Sequence, residues 1–472
     1  MSALLNTLAG SLLAAGLLAA APSAQALTYA IDFVATAAGG AAMDPAGRIV
    51  GGLANLAPTC PTCQPTFSVP SVWLDGKRFT LTLPANRAYL GFVGVNAQGQ
   101  LLANAWSGDS TTSTPVIWKA RADQSGFDSV ALPPLPGKAS AEATGIDDQG
   151  RVVGSSNTWF TSPDESFLWT QAGGTVALTS LGHPGEKPLG MSPGGTVGTA
   201  SFSYQLGQPS STVTVAPSPA GWRRESILGV SINDRGDRAF GMLTTSSSTL
   251  VYLWRYHAEG TWQQISFGGT GSLSSAGIGA IDSQATVVGT ELSTGMRAQG
   301  PDGTVQTLTS FLSPAYAGVT ITSGNDLGTG GVVLASSNIG RAGRLTKLVP
   351  VQPCTTNCLR VSSLTVTGKI TYPPRSPGRC TARAKTTASA QLKVVDENGL
   401  AVPGAVVTGR FLDDYYLDGK VTLTTNSQGL VTAQHSGPAC VGAIAFFVDG
   451  VSKTGRTLDR TSGKLTSFVI PQ

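Results

Sequence analysis

One ten-residue phrase recurs along the chain and constrains it more than anything else. Gly145–Gly154 reads GIDDQGRVVG, and related stretches begin near Ala42 (AMDPAGRIVG), Gly94 (GVNAQGQLLA), Ser231 (SINDRGDRAFG) and Ala280 (AIDSQATVVG). Weaker copies begin at Gly190 (GMSPGGTVG) and Ser323 (SGNDLGTGGVV). The turn glycine or its replacement marks each copy: Gly47, Gly99, Gly150, Gly195, Gly236, Ala285 and Gly328. Successive markers lie 41 to 52 residues apart, about 47 on average. Periods of roughly 40–50 residues belong to propeller blades. A unit of this size cannot bury both of its faces alone, so copies must stack.

Each period follows a strand and turn grammar. In the third copy Ala143–Ile146 is expected as a short strand, and Asp147–Gly150 as a turn. Asp starts such a turn by bonding back to the backbone, and Gly accepts the positive φ. Arg151–Ser155, Ser166–Trp169 and Thr175–Thr179 follow as three more strands. Trp73, Trp118, Trp169 and Trp254 are read at one place, the end of the third strand. Trp222 and Trp262 are read as opening the fourth strand of their copies. A large aromatic at a repeated position packs between neighbouring sheets and buries ~150–250 Å². Four strands taken seven times give a seven-bladed β-propeller. The last copy lacks a fourth strand, and Thr28–Phe33 (TYAIDF) supplies one, joining the two ends of the ring. A six-bladed ring and an open solenoid are the competing layouts.

The phrase GIDDQGRVVG, followed by SFLW and a strand ending in Leu181-Gly182, resembles the HAF-type extracellular repeat of bacterial exported proteins. The likeness runs over roughly residues 28 to 350. It departs from the pattern at Ser192, which replaces the turn-starting acid or amide, and at Ala285, which replaces the glycine. Such repeats carry no catalytic motif, so the resemblance implies no enzymatic residue.

Composition supports short strands. Only 12% of the 472 residues are charged, 59 are glycine, 28 are proline and 3 are histidine. This disfavours a helical enzyme, a coiled coil, a nucleic-acid binder and a metal-rich centre. Residues 1–26 have the outline of a signal peptide: Leu8–Ala21 is apolar and Ala24-Gln25-Ala26 suits cleavage, though no Lys or Arg precedes them. No later run reaches the ~18 apolar residues of a membrane span. The mature chain is therefore expected to be exported, to the periplasm or the medium, with no transmembrane segment. Export makes the cysteines a disulfide set. Cys60 with Cys63, Cys354 with Cys358, and Cys380 with Cys440 are the local pairings, with a zinc site from the two close pairs as the alternative.

Beyond Arg360 the character changes. From there on lie 13 basic and 7 acidic residues, net +6, against 18 basic and 20 acidic before it, net −2. Seven alternating stretches, from Ser363–Thr367 to Leu465–Ile470, are separated by turn signals such as Glu397-Asn398-Gly399. Seven short strands with a Cys380/Cys440 pair suggest an immunoglobulin-like sandwich. The stretch QLKVVDENGLAVPGAVVTGRF, with TTNSQGLVTA and AIAFFVDGV, resembles the small immunoglobulin-like domains appended to secreted bacterial proteins, subtilisin-like proteases among them. No protease triad accompanies it.

The expected organisation is all-β: a signal peptide over 1–26, a seven-bladed β-propeller over 27–352, a cysteine-containing linker over 353–360, and an immunoglobulin-like β-sandwich over 361–472. The long loops between second and third strands hold aromatic and acidic candidates for a ligand face: Phe67, Trp106, Asp109, Trp159, Phe160 and Tyr204. Rings in Ser/Thr-rich loops suit stacking on a sugar or peptide. Capping of the ring's core is the plainer role for the same residues. The turn residues Asp44, Asn96, Asp147, Asn233 and Asp282 do not supply the ~6–8 oxygens of a calcium site, so turn formation is their expected role. The functional expectation is a non-catalytic exported protein that binds a glycan, an envelope polymer or a protein, without cofactor. A propeller-type polysaccharide lyase or hydrolase is the alternative.

Overall fold

The computed structural model describes residues 27–35, 41–55, 68–157, 164–183, 185–208, 212–214, 222–244, 251–265, 277–291, 294–299, 304–339, 342–372, 385–413, 419–438 and 443–471. Among these the fold is all-β and β-propeller-like, with four short 3-10 turns and no α-helix. Seven four-stranded antiparallel sheets follow one another along residues 42–351. The first six are simple meanders, with their strands in chain order from inner to outer, and the seventh departs from this only in its outer strand. The outer strand of the seventh sheet is Thr28–Ala35, paired with Ala342–Val351 from Thr28↔Val351 to Ala35↔Leu345. The N-terminal strand therefore completes the last sheet, as the incomplete seventh copy implies.

The recurring phrase forms the turn between inner and second strands. Asp147 Oδ1 accepts from the amides of Gln149 and Arg151 at 3.0 and 2.8 Å. Asn96, Asn233 and Asp282 accept from the same two positions of their own turns. One oxygen of each is thus spent on backbone amides, which is the turn-forming role. The fourth turn residue adopts the left-handed conformation, with φ of +76° at Gly150 and +60° at Ala285. Ala tolerates this at a cost of ~1–2 kcal/mol, which explains why Gly is the usual choice.

The same turns hold neighbouring sheets together. Asn96 Nδ2 donates to Asp147 O at 2.9 Å, and Asn233 Nδ2 to Asp282 O at 2.7 Å. The Asp148 amide donates to Pro193 O, and the Thr329 amide to Pro45 O. The last of these links the seventh repeat to the first. Inner strands from all seven sheets, from Met43 to Leu327, line one narrow cavity of about 220 Å³. Among the described residues its only charged wall residue is Asp326, whose carboxylate accepts from the Met43 and Leu327 amides, both at 2.8 Å.

Strand register locates the repeated aromatic. The first residue of the second strand to pair with the inner strand faces Trp73 in the first sheet, Trp118 in the second and Trp169 in the third, through the pairs Val50↔Trp73, Leu101↔Trp118 and Val152↔Trp169. All three indoles are buried. In the fourth sheet that place belongs to Tyr204, opposite Val197, and in the fifth to Tyr256, opposite Arg238. Trp254 sits two residues earlier, opposite Phe240, which corrects its sequence alignment. Trp262 opens the fourth strand of the fifth sheet as expected, but Trp222 opens the inner strand of that sheet instead.

Beyond residue 351 two further four-stranded sheets form. One holds Cys358–Thr371, Lys385–Asp396, Leu430–Pro438 and Thr457–Leu458, and the other Val406–Asp413, Gly419–Thr424, Ile444–Ser452 and Thr466–Val469. The first strand begins at Cys358, so the last residues of the expected linker are already sheet. Cys354 and Cys358 form a disulfide. The other four cysteines, and the expected signal peptide, lie outside the described residues. This second unit is packed against the seventh sheet. Tyr316 stacks on Phe447 at 5.9 Å, the Leu465 amide donates to Ala315 O at 2.7 Å, and Arg460 pairs with Asp32 of the closing strand at 3.1 Å. The apolar core runs without a break from Ile31 and Tyr316 to Phe411 and Phe446.

Candidate functional site

The expected ligand face is the side of the ring that carries the loops between second and third strands. Trp106 ends its strand there, half-buried. Asp109 follows in the exposed turn, where the Ser107 hydroxyl, the Thr111 hydroxyl and the Thr111 amide all donate to its Oδ1. These hydrogen bonds hold its carboxyl down at about 2. Asp109 thus organises its own turn. Tyr204 is a correction: it is 1% exposed, occupies the repeated core aromatic place and stacks on His183 at 4.8 Å. Burial raises its phenol's affinity for the proton. Phe67, Trp159 and Phe160 lie outside the described residues. The structure therefore brings together only Trp106 and Asp109, on one hairpin.

The other side of the ring is built from the repeated turns. There a cavity of about 580 Å³ opens where the turns of the fifth, sixth and seventh sheets meet. Asn233 and Asp234 come from the fifth turn, Asp282 and Gln284 from the sixth, and Thr329–Gly331 from the seventh. Arg297, from the third strand of the sixth sheet, also lines it. Asp234 Oδ1 accepts from the Gly194 amide at 2.7 Å, and Asp282 Oδ1 is occupied by its own turn. No described residue hydrogen-bonds Oδ2 of either acid. Both carboxylates therefore keep an oxygen for a ligand hydroxyl. Sequence reasoning missed this site because its polar groups belong to turns it explained by backbone geometry alone.

A different trio has the composition of a metal centre. The ligand atoms of Asp237, His257 and Glu259 lie within 4.8 Å of one another. Asp237 is already engaged, accepting from the Ala258 amide at 3.0 Å and from Asn233 Nδ2 at 2.8 Å, with Arg235 at 3.5 Å. These bonds give the carboxylate a structural role between two turns. His435 tilts against Phe411 at 5.5 Å and lines a groove on the second unit, and burial pushes its pKa down.

No family model matches the chain, and no curated protein matches it. Solved structures do. A puromycin hydrolase aligns at 11% identity and TM-score 0.41, over 75% of this chain and 59% of its own. A gluconolactonase from Xanthomonas campestris aligns at 12% identity and TM-score 0.34, over 69% and 89%. Prolyl oligopeptidase B from Galerina marginata aligns at 9% identity and TM-score 0.33, over 77% and 56%. The chain thus matches about three fifths of the length of the puromycin hydrolase. These neighbours are named as enzymes, and the expectation of a non-catalytic protein is not kept. The likeness is too distant to carry any of their substrates to this protein. Among the described residues no helix is long and apolar enough to cross a membrane.

Proposed function

We propose that this is an exported glycan-recognising protein, a seven-bladed β-propeller followed by an immunoglobulin-like sandwich, whose ligand site is the turn-side cavity. The observation that carries the proposal is that 580 Å³ cavity, where three repeats contribute amide, hydroxyl and carboxylate groups to one concave surface. Pockets of roughly 300–1,000 Å³ with a few convergent polar groups are the usual form of a small-ligand site. Asp and Asn side chains are suitable acceptors and donors for sugar hydroxyls. Seven consecutive meanders, closed by the N-terminal strand, support the seven-bladed ring. Two facing four-stranded sheets support the sandwich. The apolar segment before Ala26 supports export.

Hydrolysis of the bound glycan is the second reading. It is favoured by the presence of two carboxylates, Asp234 and Asp282, on the wall of the same cavity. Glycoside hydrolysis is commonly run by such a pair, one as acid and one as base or nucleophile. A glycan array probed with the mature chain, followed by a reducing-end assay on every bound glycan, tests both. Binding lost in a Gln284→Ala, Asp234→Asn double variant supports the cavity. Binding that survives there but is lost in Trp106→Ala moves the site to the opposite face. Reducing ends that appear with the wild type and not with Asp234→Asn or Asp282→Asn establish hydrolysis.

A further inference from the structure

We infer that the turn-side cavity takes a carboxylate-bearing sugar unit, a uronate, with Arg297 as the group that grips its carboxylate. This rests on the proposal that the cavity is the ligand site and adds the chemistry of the ligand.

The inference comes from one position in the ring. The residue of the third strand that precedes the repeated aromatic place faces the next sheet. In the first four sheets it is Val72, Ile117, Leu168 and Ser203. In the last three it is a cation: Arg255 opposite Ala239, Arg297 opposite Val288, and Lys347 opposite Leu334. Two of these three cations reach the next sheet's turn and donate to the carbonyl of its left-handed residue. Arg255 Nη1 donates to Ala285 O at 2.5 Å, and Lys347 Nζ to Gly47 O at 3.0 Å. Lys347 also pairs with Asp32 at 2.9 Å.

Arg297 is the exception. Its Nε and Nη1 are buried and have no hydrogen-bond partner among the described residues, and the residue is only 6% exposed. The turn it faces, in the seventh sheet, spans as many residues as those of the second to sixth sheets but has a different shape. Gly328 bonds to Val332 O across Thr329, Gly330 and Gly331, a 3-10 turn with φ of +68° at Gly330 and +80° at Gly331. It leans on Pro45 of the first repeat through the Thr329 amide and hydroxyl, as the Asp148 amide leans on Pro193. The Gly331 carbonyl is taken by the Tyr29 hydroxyl at 2.9 Å. Where its sister cations meet a carbonyl, Arg297 meets the cavity.

A buried guanidinium without an acceptor is costly, and a fork of N–H groups matches a carboxylate in both charge and shape. The Phe311 ring, 5.6 Å from the guanidinium carbon, supports the cation but fills none of its N–H directions. Asp234 and Asp282 make no ion pair with Arg297 within 4.0 Å, and they add negative charge to the cavity. That disfavours a phosphate ester with its greater charge. It suits a unit with a single carboxylate and several hydroxyls, the latter donating to the unengaged carboxylate oxygens.

The test is calorimetric titration of the mature chain with trigalacturonate and with its carboxyl-reduced, neutral counterpart. The expected result is that trigalacturonate binds at least tenfold tighter than the neutral trimer. Arg297→Gln should remove that preference, and Arg297→Lys, which keeps the charge without the fork, should leave part of it. The wild-type comparison needs no variant, and near-ultraviolet circular dichroism checks that both variants are folded. Asp282→Asn keeps the turn, because Asn96 and Asn233 make the same turn bonds. If both trimers bind the wild type equally and Asp282→Asn weakens both, the cavity is the ligand site and the carboxylate assignment is wrong. If neither trimer binds while neutral glycans do so through the cavity, the uronate assignment also fails. If every glycan passes the cavity by, the proposed function fails with it.

Discussion

Ring closure by the N-terminal strand can be tested by removing a single side chain. Tyr29 is fully buried, meets the Phe311 ring edge-on at 6.2 Å and donates its hydroxyl to Gly331 O. Truncating a large buried aromatic to Ala costs about 3–5 kcal/mol, through lost transfer energy and the cavity left behind. The lost hydrogen bond is included in that range, since the Gly331 carbonyl lines the open cavity and can take a water instead. Against a total stability of about 5–15 kcal/mol, Tyr29→Ala removes a large share. Tyr29→Phe isolates the hydroxyl and should cost about 1 kcal/mol. Asp32→Ala provides a control on the same strand. Its ion pairs with Lys347 and Arg460 leave it 40% exposed, so removing them should cost less than about 1 kcal/mol. Urea denaturation followed by tryptophan fluorescence measures all three. A Tyr29→Ala midpoint within 1 kcal/mol of wild type, at unchanged slope, would refute closure by this strand.

Three further outcomes are expected. Gly154→Ala places a Cβ 2.1 Å from Glu142 O and 2.8 Å from Phe167, so it should cost about 3 kcal/mol or more, whereas Gly76→Ala, with nothing within 4 Å, should cost only about 1–2 kcal/mol for its φ of +80°; equal unfolding midpoints would contradict this. Burial raises the Asp326 carboxyl from 3.8 to about 6, against the two amides that donate to it. The folded chain then binds more protons than the unfolded one between those values, so this contribution is fully present below 3.8 and is lost as pH rises through about 6. The stability difference between wild type and Asp326→Asn should fall by up to about 3 kcal/mol between pH 4 and 7, and a flat difference would contradict the burial. The disulfide between Cys354 and Cys358 closes a loop of sequence separation 4, for which loop entropy gives about 2 kcal/mol. A double Ser variant should lose no more than that by calorimetry, and a loss twice as large would give the bond a role beyond the loop.

The parts of the fold legible in the sequence were those set by local chemistry. An Asp or Asn followed by Gly three residues later makes its turn with its own backbone, so Asp147–Gly150 announces itself. The incomplete seventh copy and the strand-like TYAIDF segment likewise pointed to each other. What failed was register. Spelling aligned Trp254 with Trp169, but pairing puts Tyr256 opposite Arg238 in that place. Tyr204 reads as a loop residue because the fourth copy is short and its second and third strands hold only three and four residues. The cavity was illegible for a related reason. Arg255, Arg297 and Lys347 share one ring position only once each strand's pairing is known. The missing acceptor of Arg297 traces to the closing strand, whose Tyr29 hydroxyl takes the Gly331 carbonyl, a contact that no local sequence pattern shows.

The most direct measurement is a crystal structure of the mature chain soaked with trigalacturonate. The expected density lies in the turn-side cavity, with one carboxylate against the Arg297 guanidinium and sugar hydroxyls on Asp234 and Asp282. A ligand bound instead at the Trp106 hairpin, with the Arg297 guanidinium closed onto a protein carbonyl as in its sisters Arg255 and Lys347, would contradict the proposed site.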